Sequence, residues 1–558
     1  MRPRTLASLL VLFVIGIAAL GPVVFVVLRS FDVAAPGEAF RWGLEGWREA
    51  FGAQRTLNAL QFTLLLSLRV FAGLALAFLI SWLLIRVKLP ARGFIEFSFW
   101  LAWFLPPLPV TLGWVLLLDP QYGLINQGLM SFFPLKQSIF NIYSFFGILW
   151  VHLTLVTVPV MTILLTPAFR QLDASFEEGS RVCGAGARTT LLRIVVPLLL
   201  PTLLVVLIAS LIRSLEAFEV EQVIGIPAKI YVYGTRIYDL VNWEPPRFSQ
   251  AMALSTLFLG VLLLLIFAQQ SLRATQVATL TGRGMSFRPV SIGGWRYLAS
   301  GFCLFFVLAG VYLPLLMVLV GSTMRLFGFF TVQNPFTAGH WLHMLREPTF
   351  LSSVRNSVVM GIGVTLFGVA LYSLLGYFLL RVKNRASALA GYLVWLPWAI
   401  PGILIGLALL WLFLSLPLVS RIHGTIWGLV LALVIKEMPI GVHLMKASFG
   451  QIDEDLEKAS RACGANWLTT FRRVTLPLAM PMMASIAILI FTGAIRDIST
   501  TILLSTPSTR PLSVYMMELA ATGDMARASV VGVCLSLLAV TLALAVRRMR
   551  WRLGGDAY

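Results

Sequence analysis

Residues 169–201 read FRQLDASFEEGSRVCGAGARTTLLRIVVPLLLP, and residues 449–481 read FGQIDEDLEKASRACGANWLTTFRRVTLPLAMP. The two stretches align without a gap at a shift of 280 positions (449 minus 169). Eight of the shared positions are Asp173/Asp453, Glu177/Glu457, Ser180/Ser460, Arg181/Arg461, Cys183/Cys463, Gly184/Gly464, Pro197/Pro477 and Pro201/Pro481. A polar segment repeated this closely predicts a chain of two similar halves, each presenting one copy of the same surface.

The rest of the chain has the composition of a membrane protein. It is 58% hydrophobic and 12% charged, with a mean hydropathy of +0.88, which lies outside the range of soluble proteins. Apolar stretches of about 20 residues recur, each long enough to cross about 30 Å of hydrocarbon as a helix. They lack the alternation of a β-barrel. The net charge of +19 sits mainly in short loops, which favours a role in topology and lipid contact over nucleic-acid binding.

We predict an all-α fold with twelve membrane spans. The first half, residues 1–272, contains spans near 6–29, 58–86, 93–118, 140–168, 197–220 and 249–272. The second half, residues 295–558, contains spans near 295–322, 354–381, 387–416, 424–447, 477–498 and 525–547. Residues 273–294 are polar and basic and read as a linker. The first apolar run is too long for a typical signal peptide, so it reads as an uncleaved span.

Basic residues orient the predicted bundle. Arg86 and Lys88 follow span two, Arg381 and Lys383 follow span eight, and four arginines follow span twelve. Because positive charge collects on the cytoplasmic side, both chain ends and the linker are expected there. Counting spans then places both repeats in the cytoplasm, each between the fourth and fifth span of its half.

Proline interrupts two of the predicted spans. Span three contains Phe104-Leu-Pro-Pro-Leu-Pro109, and span nine contains Trp395-Leu-Pro-Trp-Ala-Ile-Pro401. Proline removes a backbone donor and disturbs a helix, which membrane helices tolerate where neighbours or a water-filled cavity satisfy the freed groups. The two halves run in the same direction, so a pseudo-twofold axis along the membrane normal is expected, with a transport path along it.

Each repeat reads as two short helices joined by a turn. In the first copy Asp173 or Ser175 is expected to cap the first helix, and Glu177 and Glu178 fall in its first turn, where the helix dipole favours carboxylates. Gly184 permits a sharp turn. The second helix is expected to run to Pro197, where span five begins. The other copy follows the same plan, with Asp453 as cap, Gly464 at the turn and Pro477 opening span eleven.

At these residues the chain resembles the EAA loop of permeases in binding-protein-dependent ABC importers. That pattern is Glu-Ala-Ala, three residues, Gly, nine residues, then Ile-x-Leu-Pro. Glu178, Gly184, Ile194 and Pro197 fill the first copy, while Gly179, Ser180 and Val196 depart from it. The second copy fits at Ala459, Gly464, Val474, Leu476 and Pro477, but has Lys458 at the glutamate position.

The resemblance extends over the whole chain, which is similar to the fused permeases of the ferric-iron and thiamine importer group. It implies a type I ABC importer-like fold in the bacterial inner membrane. It also implies two cytoplasmic ATPase subunits that carry ATP and magnesium, a periplasmic binding protein, and contact with membrane lipid. No cofactor is expected on this chain. The coupling residues would be Glu177, Glu178, Arg181, Gly184, Pro197, Glu457, Arg461, Gly464 and Pro477.

Charged residues near the spans are a second candidate site, because ionisable groups are costly in a membrane. Glu216 and Glu219 lie at the end of span five, Arg496 and Asp497 end span eleven, and Glu437 lies in span ten. Three interpretations stay open. The charges form a gate across the path, with Glu216 opposite Arg496; they form an acidic funnel for a cation; or they are local pairs that close the bundle.

Several function classes are disfavoured. No Gly-x-x-x-x-Gly-Lys-Ser/Thr loop occurs, so ATP hydrolysis is expected on a partner and the chain is not predicted to be an enzyme. No convincing metal-ligand or nucleophile–base set is apparent. A secondary transporter of the major facilitator type also has two six-span halves, but its acidic-basic signature is absent between spans two and three. The resemblance favours ferric iron as substrate, with thiamine, a polyamine or a phosphonate as alternatives.

Overall fold

The computed structural model describes residues 3–34, 38–134, 136–274, 292–330, 332–415 and 417–552. Within these ranges nearly all regular structure is helical. The only strand-like pairing described there consists of two isolated bridges, Asp32 with Trp42 and Met324 with Phe336. The predicted all-α class is confirmed.

The first half contains fourteen helices within its described residues. They are α1 (Pro3–Arg29), α2 (Glu45–Gly52), α3 (Gln54–Ser67), α4 (Arg69–Arg86), α5 (Arg92–Phe104), α6 (Pro107–Leu118), α7 (Leu124–Phe132), α8 (Phe145–Val151), α9 (Val158–Gln171), α10 (Ala174–Val182), α11 (Ala187–Thr190), α12 (Val196–Leu215), α13 (Tyr233–Val241) and α14 (Phe248–Ala274). Three π-helical segments, His152–Thr157, Leu191–Val195 and Glu221–Gly225, accompany them.

The second half continues with thirteen helices among its described residues. They are α15 (Trp295–Val307), α16 (Leu313–Thr323), α17 (Gly339–Met344), α18 (Pro348–Arg381), α19 (Arg385–Val394), α20 (Gly402–Ser415), α21 (Pro417–Ser420), α22 (Ile426–Gly450), α23 (Glu454–Ala462), α24 (Trp467–Thr470), α25 (Leu476–Arg496), α26 (Leu512–Ala521) and α27 (Met525–Arg552). Two π-helical segments, Leu308–Tyr312 and Phe471–Thr475, and the 3₁₀ turn Leu396–Ala399 complete the half.

In the described part of the chain, ten helices are long and apolar enough to cross a membrane, and the number is twelve if two bent helix pairs each count as one span. The bent pairs are the predicted spans three and nine. Their helices meet at 107° between α5 and α6, and at 103° between Arg385–Trp398 and α20. Both bends fall in the proline-rich stretches, where the missing backbone donors end one helix before the next begins.

The fifth span of each half begins earlier than predicted. Helix is continuous from Ala187 to Leu215 and from Trp467 to Arg496, so Pro197 and Pro477 lie inside a helix and do not open a span. Each proline follows a π-helical segment, Leu191–Val195 or Phe471–Thr475. A proline cannot donate to the preceding turn and its ring crowds a carbonyl there; the wider π turn relieves that crowding, so the helix continues.

The two halves pack closely against each other. Helix α1 of the first half packs mainly on α19 and α20 of the second half, and α16 of the second half packs on α6 of the first half as well as on α27 of its own half. The larger buried core therefore draws residues from both halves. Helix α14 ends at Ala274 and α15 begins at Trp295; most of the predicted linker, residues 275–291, lies outside the described residues.

Candidate functional site

Each repeat contains a short exposed helix, α10 in the first half and α23 in the second. We call them the first and second repeat helices, and the end of the bundle that carries them the repeat end. Both begin at an aspartate: the Asp173 carboxylate accepts a hydrogen bond from the Ser175 N–H at 3.0 Å, and the Asp453 carboxylate accepts one from the Asp455 N–H at 3.0 Å. Of the two predicted caps in the first copy, the structure therefore uses Asp173.

Both repeat helices end in the same turn. Gly184 has φ +81° and Gly464 has φ +84°, a left-handed conformation that glycine adopts at little cost. The N–H of Gly184 donates to the carbonyl of Arg181 at 2.9 Å, and the N–H of Gly464 donates to that of Arg461 at 3.0 Å. Nothing lies within 4 Å of a Cβ built at either glycine. The backbone conformation, and not a lack of space, is therefore what requires glycine here.

A hydroxyl pair closes each turn and was not singled out by the sequence argument. The Ser180 and Thr190 hydroxyls lie 2.8 Å apart, and those of Ser460 and Thr470 lie 3.0 Å apart. All four positions obey the shift of 280, so the repeat alignment could have identified them. Each pair joins a repeat helix, across the glycine turn, to the start of the following long helix. The repeat helix is thereby attached to the fifth span of its half.

The glutamates Glu177 and Glu457, both predicted from the sequence to be ATPase-coupling residues, face inward. Both are buried, at 6% and 4% exposure. Glu177 Oε1 lies 2.9 Å from Nε of Arg86, the last residue of α4. Glu457 Oε1 lies 2.7 Å from Nη2 of Arg381, the last residue of α18. Each repeat helix is thereby bound to the second span of its half as well as to the fifth.

The two ion pairs are not equally supported. In the first half Arg86 also donates to the carbonyl of Leu172 at 2.9 Å. In the second half Arg381 reaches Glu454 as well, at 2.8 Å, and the Tyr377 hydroxyl donates to Glu457 at 2.8 Å. The second repeat helix therefore has more polar contacts to its second span than the first.

The exposed faces of the repeat helices differ in charge. Glu178 and Lys458 occupy equivalent exposed positions with opposite charge. The Lys458 ammonium donates to Asp455 at 2.7 Å, and this hydrogen bond raises the pKa of Lys458 above its usual value. Arg181 is exposed, while Arg461 is half-exposed and lies 3.8 Å from Glu457.

Apolar side chains are exposed to solvent beside these charges. Phe176 is 52% exposed, Val182 is 88% exposed, and Leu456 is 48% exposed. Cys183 and Cys463, at the ends of the two repeat helices, are both exposed free thiols. Apolar groups mixed with charges in this way are typical of a protein-binding surface.

A central cavity is the second part of the site. It has a volume of about 200 Å³ and lies between the two halves, lined by residues that follow α12, by α22 and by the end of α25. All five charged residues that the sequence argument grouped together line it: Glu216, Glu219, Glu437, Arg496 and Asp497. The structure also adds charged and polar residues that lie in or beside the apolar spans, namely Arg69, His152, Arg213 and Lys436.

Only some of these charges are paired. Lys436 forms an ion pair with Asp497, and Arg213 Nη1 lies 3.4 Å from Glu216. Among the described residues, Glu219 and Glu437 belong to no ion pair within 4 Å. The cavity therefore combines two paired carboxylates with two that are left without a cationic partner.

The predicted opposition of Glu216 and Arg496 is not observed as a contact in the described residues. Arg496 instead donates to the main-chain carbonyl of Trp103, and its guanidinium lies 5.9 Å from the centre of that residue's indole. Trp103 lies next to the end of α5, at the bend in span three. A freed carbonyl at a broken helix needs a donor, and here an arginine of the other half supplies it.

The bend in span nine also borders the charged cavity. A Cβ built on Gly402, at the start of α20, would lie 2.7 Å from the Lys436 ammonium. Gly493 on α25 has a similar relation to Glu437, since a Cβ there would lie 2.8 Å from Oε1. Both glycines make room for a charged side chain. Neither was predicted, because their role depends on contacts between residues distant in sequence.

Among the described residues, no group of three or more His, Cys, Asp or Glu side chains is arranged to hold a metal ion. The charged groups that line the cavity are carboxylates, guanidinium groups and the Lys436 ammonium. Such groups can bind a charged solute.

Residues 365–550 match the family described as "Binding-protein-dependent transport system inner membrane component". This segment runs from within α18 to within α27 and contains the second repeat helix, its turn and α25. The matched family thus covers the part of the second half that holds both the exposed repeat surface and its share of the cavity.

Three curated relatives extend the comparison. The probable ABC transporter permease protein y4fN of Sinorhizobium fredii is 27% identical over 473 residues, 82% of this chain and 80% of that protein. The ferric transport system permease protein FbpB of Actinobacillus pleuropneumoniae is 27% identical over 80% of this chain, which spans 64% of FbpB. A probable molybdenum ABC transporter permease protein of Haloferax volcanii is 32% identical over 185 residues, 32% of this chain and 67% of that protein.

These matches, the helical fold and the duplicated repeat agree with one another. The chain therefore belongs to the family of inner-membrane components of binding-protein-dependent transport systems and is a permease of the ABC importer type.

Proposed function

We propose that this permease imports a small charged solute, ferric iron in the first instance, and is driven by two partner ATPases that bind its repeat helices. The observation that carries the proposal is the duplicated geometry of the two repeats: an aspartate cap, a left-handed glycine turn, and a helix that continues unbroken into a membrane span. Two equivalent exposed surfaces fit a partner that binds as a pair.

The proposed orientation places the repeat end in the cytoplasm. Arg86 and Arg381, and the basic residues that follow them, lie at this end, as the positive-inside rule requires. Both chain ends would then be cytoplasmic. The two halves, residues 1–272 and 295–558, would be joined there by the linker 273–294. A periplasmic binding protein would deliver the solute to the opposite end.

Motion would reach the bundle by two routes in each half. A repeat helix displaced by an ATPase would move the fifth span, because the glycine turn and the Ser–Thr hydroxyl pair join it to the helix that forms that span. It would also move the second span, through the buried glutamate–arginine pair. The permease can alternate between two conformations only if a partner binds one of them more tightly than the other. The ATPases would do so, since their closed and open dimers would bind the two repeat helices at different separations. The central cavity would then open to one side of the membrane in one conformation and to the other side in the other.

The substrate proposal rests on the unpaired carboxylates of the cavity and on the similarity to FbpB. Glu219 and Glu437 provide oxygen ligands of the kind that hard cations prefer. The guanidinium groups of Arg69, Arg213 and Arg496 support a second candidate, an oxyanion, and one relative is named for molybdenum transport. Uptake of radiolabelled ferric iron and of molybdate by cells that express the whole operon separates the two. Glu219→Gln with Glu437→Gln is expected to reduce uptake of the cation by about ten-fold and to spare the anion.

Cross-linking tests the ATPase contact directly. The exposed thiols of Cys183 and Cys463 allow a short bifunctional reagent to join each repeat helix to the partner without new cysteines. We expect both positions to cross-link to the ATPase in membranes, and Cys183→Ser and Cys463→Ser each to remove one product. ATP-driven uptake should be sensitive to vanadate. Uptake abolished only by a protonophore, with no cross-link at either thiol, would refute the proposal in favour of a secondary transporter.

A further inference from the structure

A second cavity, of about 850 Å³, lies at the repeat end between the halves. Its wall is formed by the end of α14, the end of α18, the start of α19 and the last turns of α22. It shares no lining residue with the central cavity. Nothing in the proposed transport path accounts for it.

The described lining of this cavity carries positive charge alone. Lys383, Arg385 and Lys446 line it, with no aspartate or glutamate among the described residues of its wall. None of the three basic side chains has an ion pair within 4 Å in the described ranges. The whole of α19 also lacks an acidic residue. Three like charges around one cavity repel one another, and a bound anion would offset that repulsion.

The first half handles the equivalent region differently. The tripeptide Arg-Val-Lys ends the second span in both halves, at residues 86–88 and 381–383. In the first half, however, Glu96 lies 3.0 Å from Arg92 and 3.2 Å from Arg170. There an internal carboxylate balances the nearby cations. In the second half Lys383, Arg385 and Lys446 have no such carboxylate within 4 Å among the described residues, which indicates that an external anion binds there.

The other side chains of the cavity fit the polar–apolar boundary of a membrane. Tyr392, Trp395 and Trp398 line it, and the Trp395 ring lies 4.0 Å from that of His443. Amphipathic aromatic rings of this kind prefer the level of lipid headgroups. Ile266 and Leu379 continue the wall with apolar surface that acyl chains can contact.

We infer that this cavity binds the phosphate of an anionic phospholipid, with the headgroup held by Lys383, Arg385 and Lys446 and the acyl chains along its apolar wall. Basic pockets between spans on the cytoplasmic side favour such headgroups, and each nearby cation strengthens binding about five-fold. The bound lipid would join α14 of the first half to α18, α19 and α22 of the second.

The test measures lipid retained by the full-length chain, and it needs neither ATP nor uptake, so its failure is separate from failure of the proposed transport function. The chain is purified in mild detergent from vesicles of phosphatidylglycerol and phosphatidylethanolamine, and native mass spectrometry counts the bound lipid. We expect phosphatidylglycerol to be retained in preference, and the triple variant Lys383→Gln, Arg385→Gln, Lys446→Gln to retain at least ten-fold less.

Lys88→Gln is the matched control, because Lys88 ends the same tripeptide, is exposed and does not line the cavity. It should retain lipid like the parent chain. If lipid is not retained but inorganic phosphate binds to the parent and not to the triple variant, the phosphate site stands and its ligand is a free phosphoryl group. Equal retention of lipid and phosphate by the parent and the triple variant, or binding of neither, would overturn the inference.

Discussion

The guanidinium of Arg381 lies 2.7 Å from the carboxylate of Glu457, although 76 residues separate them in the chain. Arg86 and Glu177 repeat the arrangement in the first half. From the sequence alone, both arginines indicate the orientation of the bundle and both glutamates are expected among the ATPase-coupling residues, but the pairing of arginine with glutamate is not predicted. Their pairing gives each repeat helix a fixed position against its second span.

Breaking this pair in the second half should uncouple the repeat helix from α18. Removing one partner of a buried ion pair costs about 3–5 kcal/mol, so Arg381→Ala is expected to lower uptake by at least ten-fold. The exchange Arg381→Glu with Glu457→Arg should restore part of that loss, because opposite charges face each other again. Uptake per permease in the membrane, quantified by immunoblotting, is the measurement.

Lys88→Gln is the control for the loss of a cation at the repeat end, since Lys88 is exposed, lies outside both repeat helices and forms no ion pair within 4 Å among the described residues. Exposed substitutions of this kind change stability little, so uptake should stay close to that of the parent chain. If the exchange variant shows no more uptake than Arg381→Ala, the pair does not act through its charges.

The glycine turns should tolerate asparagine and reject proline. The double variant Gly184→Pro, Gly464→Pro cannot adopt a positive φ and loses the N–H that donates to Arg181 and Arg461. We expect it to abolish uptake while the protein remains in the membrane. Asparagine adopts the left-handed conformation more readily than most other residues, so Gly184→Asn, Gly464→Asn should keep most of the uptake. Normal uptake by the proline variant would contradict this role.

Local patterns were sufficient to predict the membrane spans, the two halves and the sites of the bends. Apolar length defines a span, and the prolines of residues 104–109 and 395–401 mark where a helix must break. The turn at Gly184 followed from the repeat. The spans and bends depend on residues near one another in sequence, and the halves and the turn on the comparison of two segments 280 positions apart. Neither requires a contact between distant residues to be known, so the sequence is sufficient.

Contacts between distant segments could not be predicted. The shift of 280 suggested that Glu216 faces Arg496, but Arg496 instead serves the carbonyl freed at the bend near Trp103. Pro197 looked like the start of a span because the sequence does not reveal the π turn that lets the helix continue. In the first case the donor to a freed carbonyl lies 393 residues away in the chain. In the second the backbone changes its hydrogen-bond pattern within a few residues, over Leu191–Val195.

Gly493 should be essential for the position of Glu437. A Cβ there would lie 2.8 Å from Glu437 Oε1, so Gly493→Ala is expected to displace the carboxylate within the cavity and lower cation uptake by about ten-fold. Gly260→Ala is a suitable control, because a Cβ at that glycine of α14 meets nothing within 4 Å and Gly260 lines neither cavity. If Gly493→Ala reduces uptake, Gly493→Ala combined with Glu437→Asp should recover part of it, since the shorter side chain withdraws from the added methyl group.

Arg496 should join the two halves at the bend of span three. It donates to the Trp103 carbonyl, 393 residues away in the chain, and an unsatisfied buried carbonyl costs about 1–3 kcal/mol. Arg496→Met is therefore expected to reduce uptake at least five-fold. Arg496→Lys should retain more, because an ammonium can still donate to that carbonyl. Arg213→Met serves as control, because Arg213 is 39% exposed and pairs with Glu216 on its own segment. Uptake per membrane-inserted permease is compared among the three variants. An equal loss in Arg496→Met and Arg213→Met, with uptake retained in Arg496→Lys, would show that positive charge in the cavity, and not the contact with Trp103, is what matters.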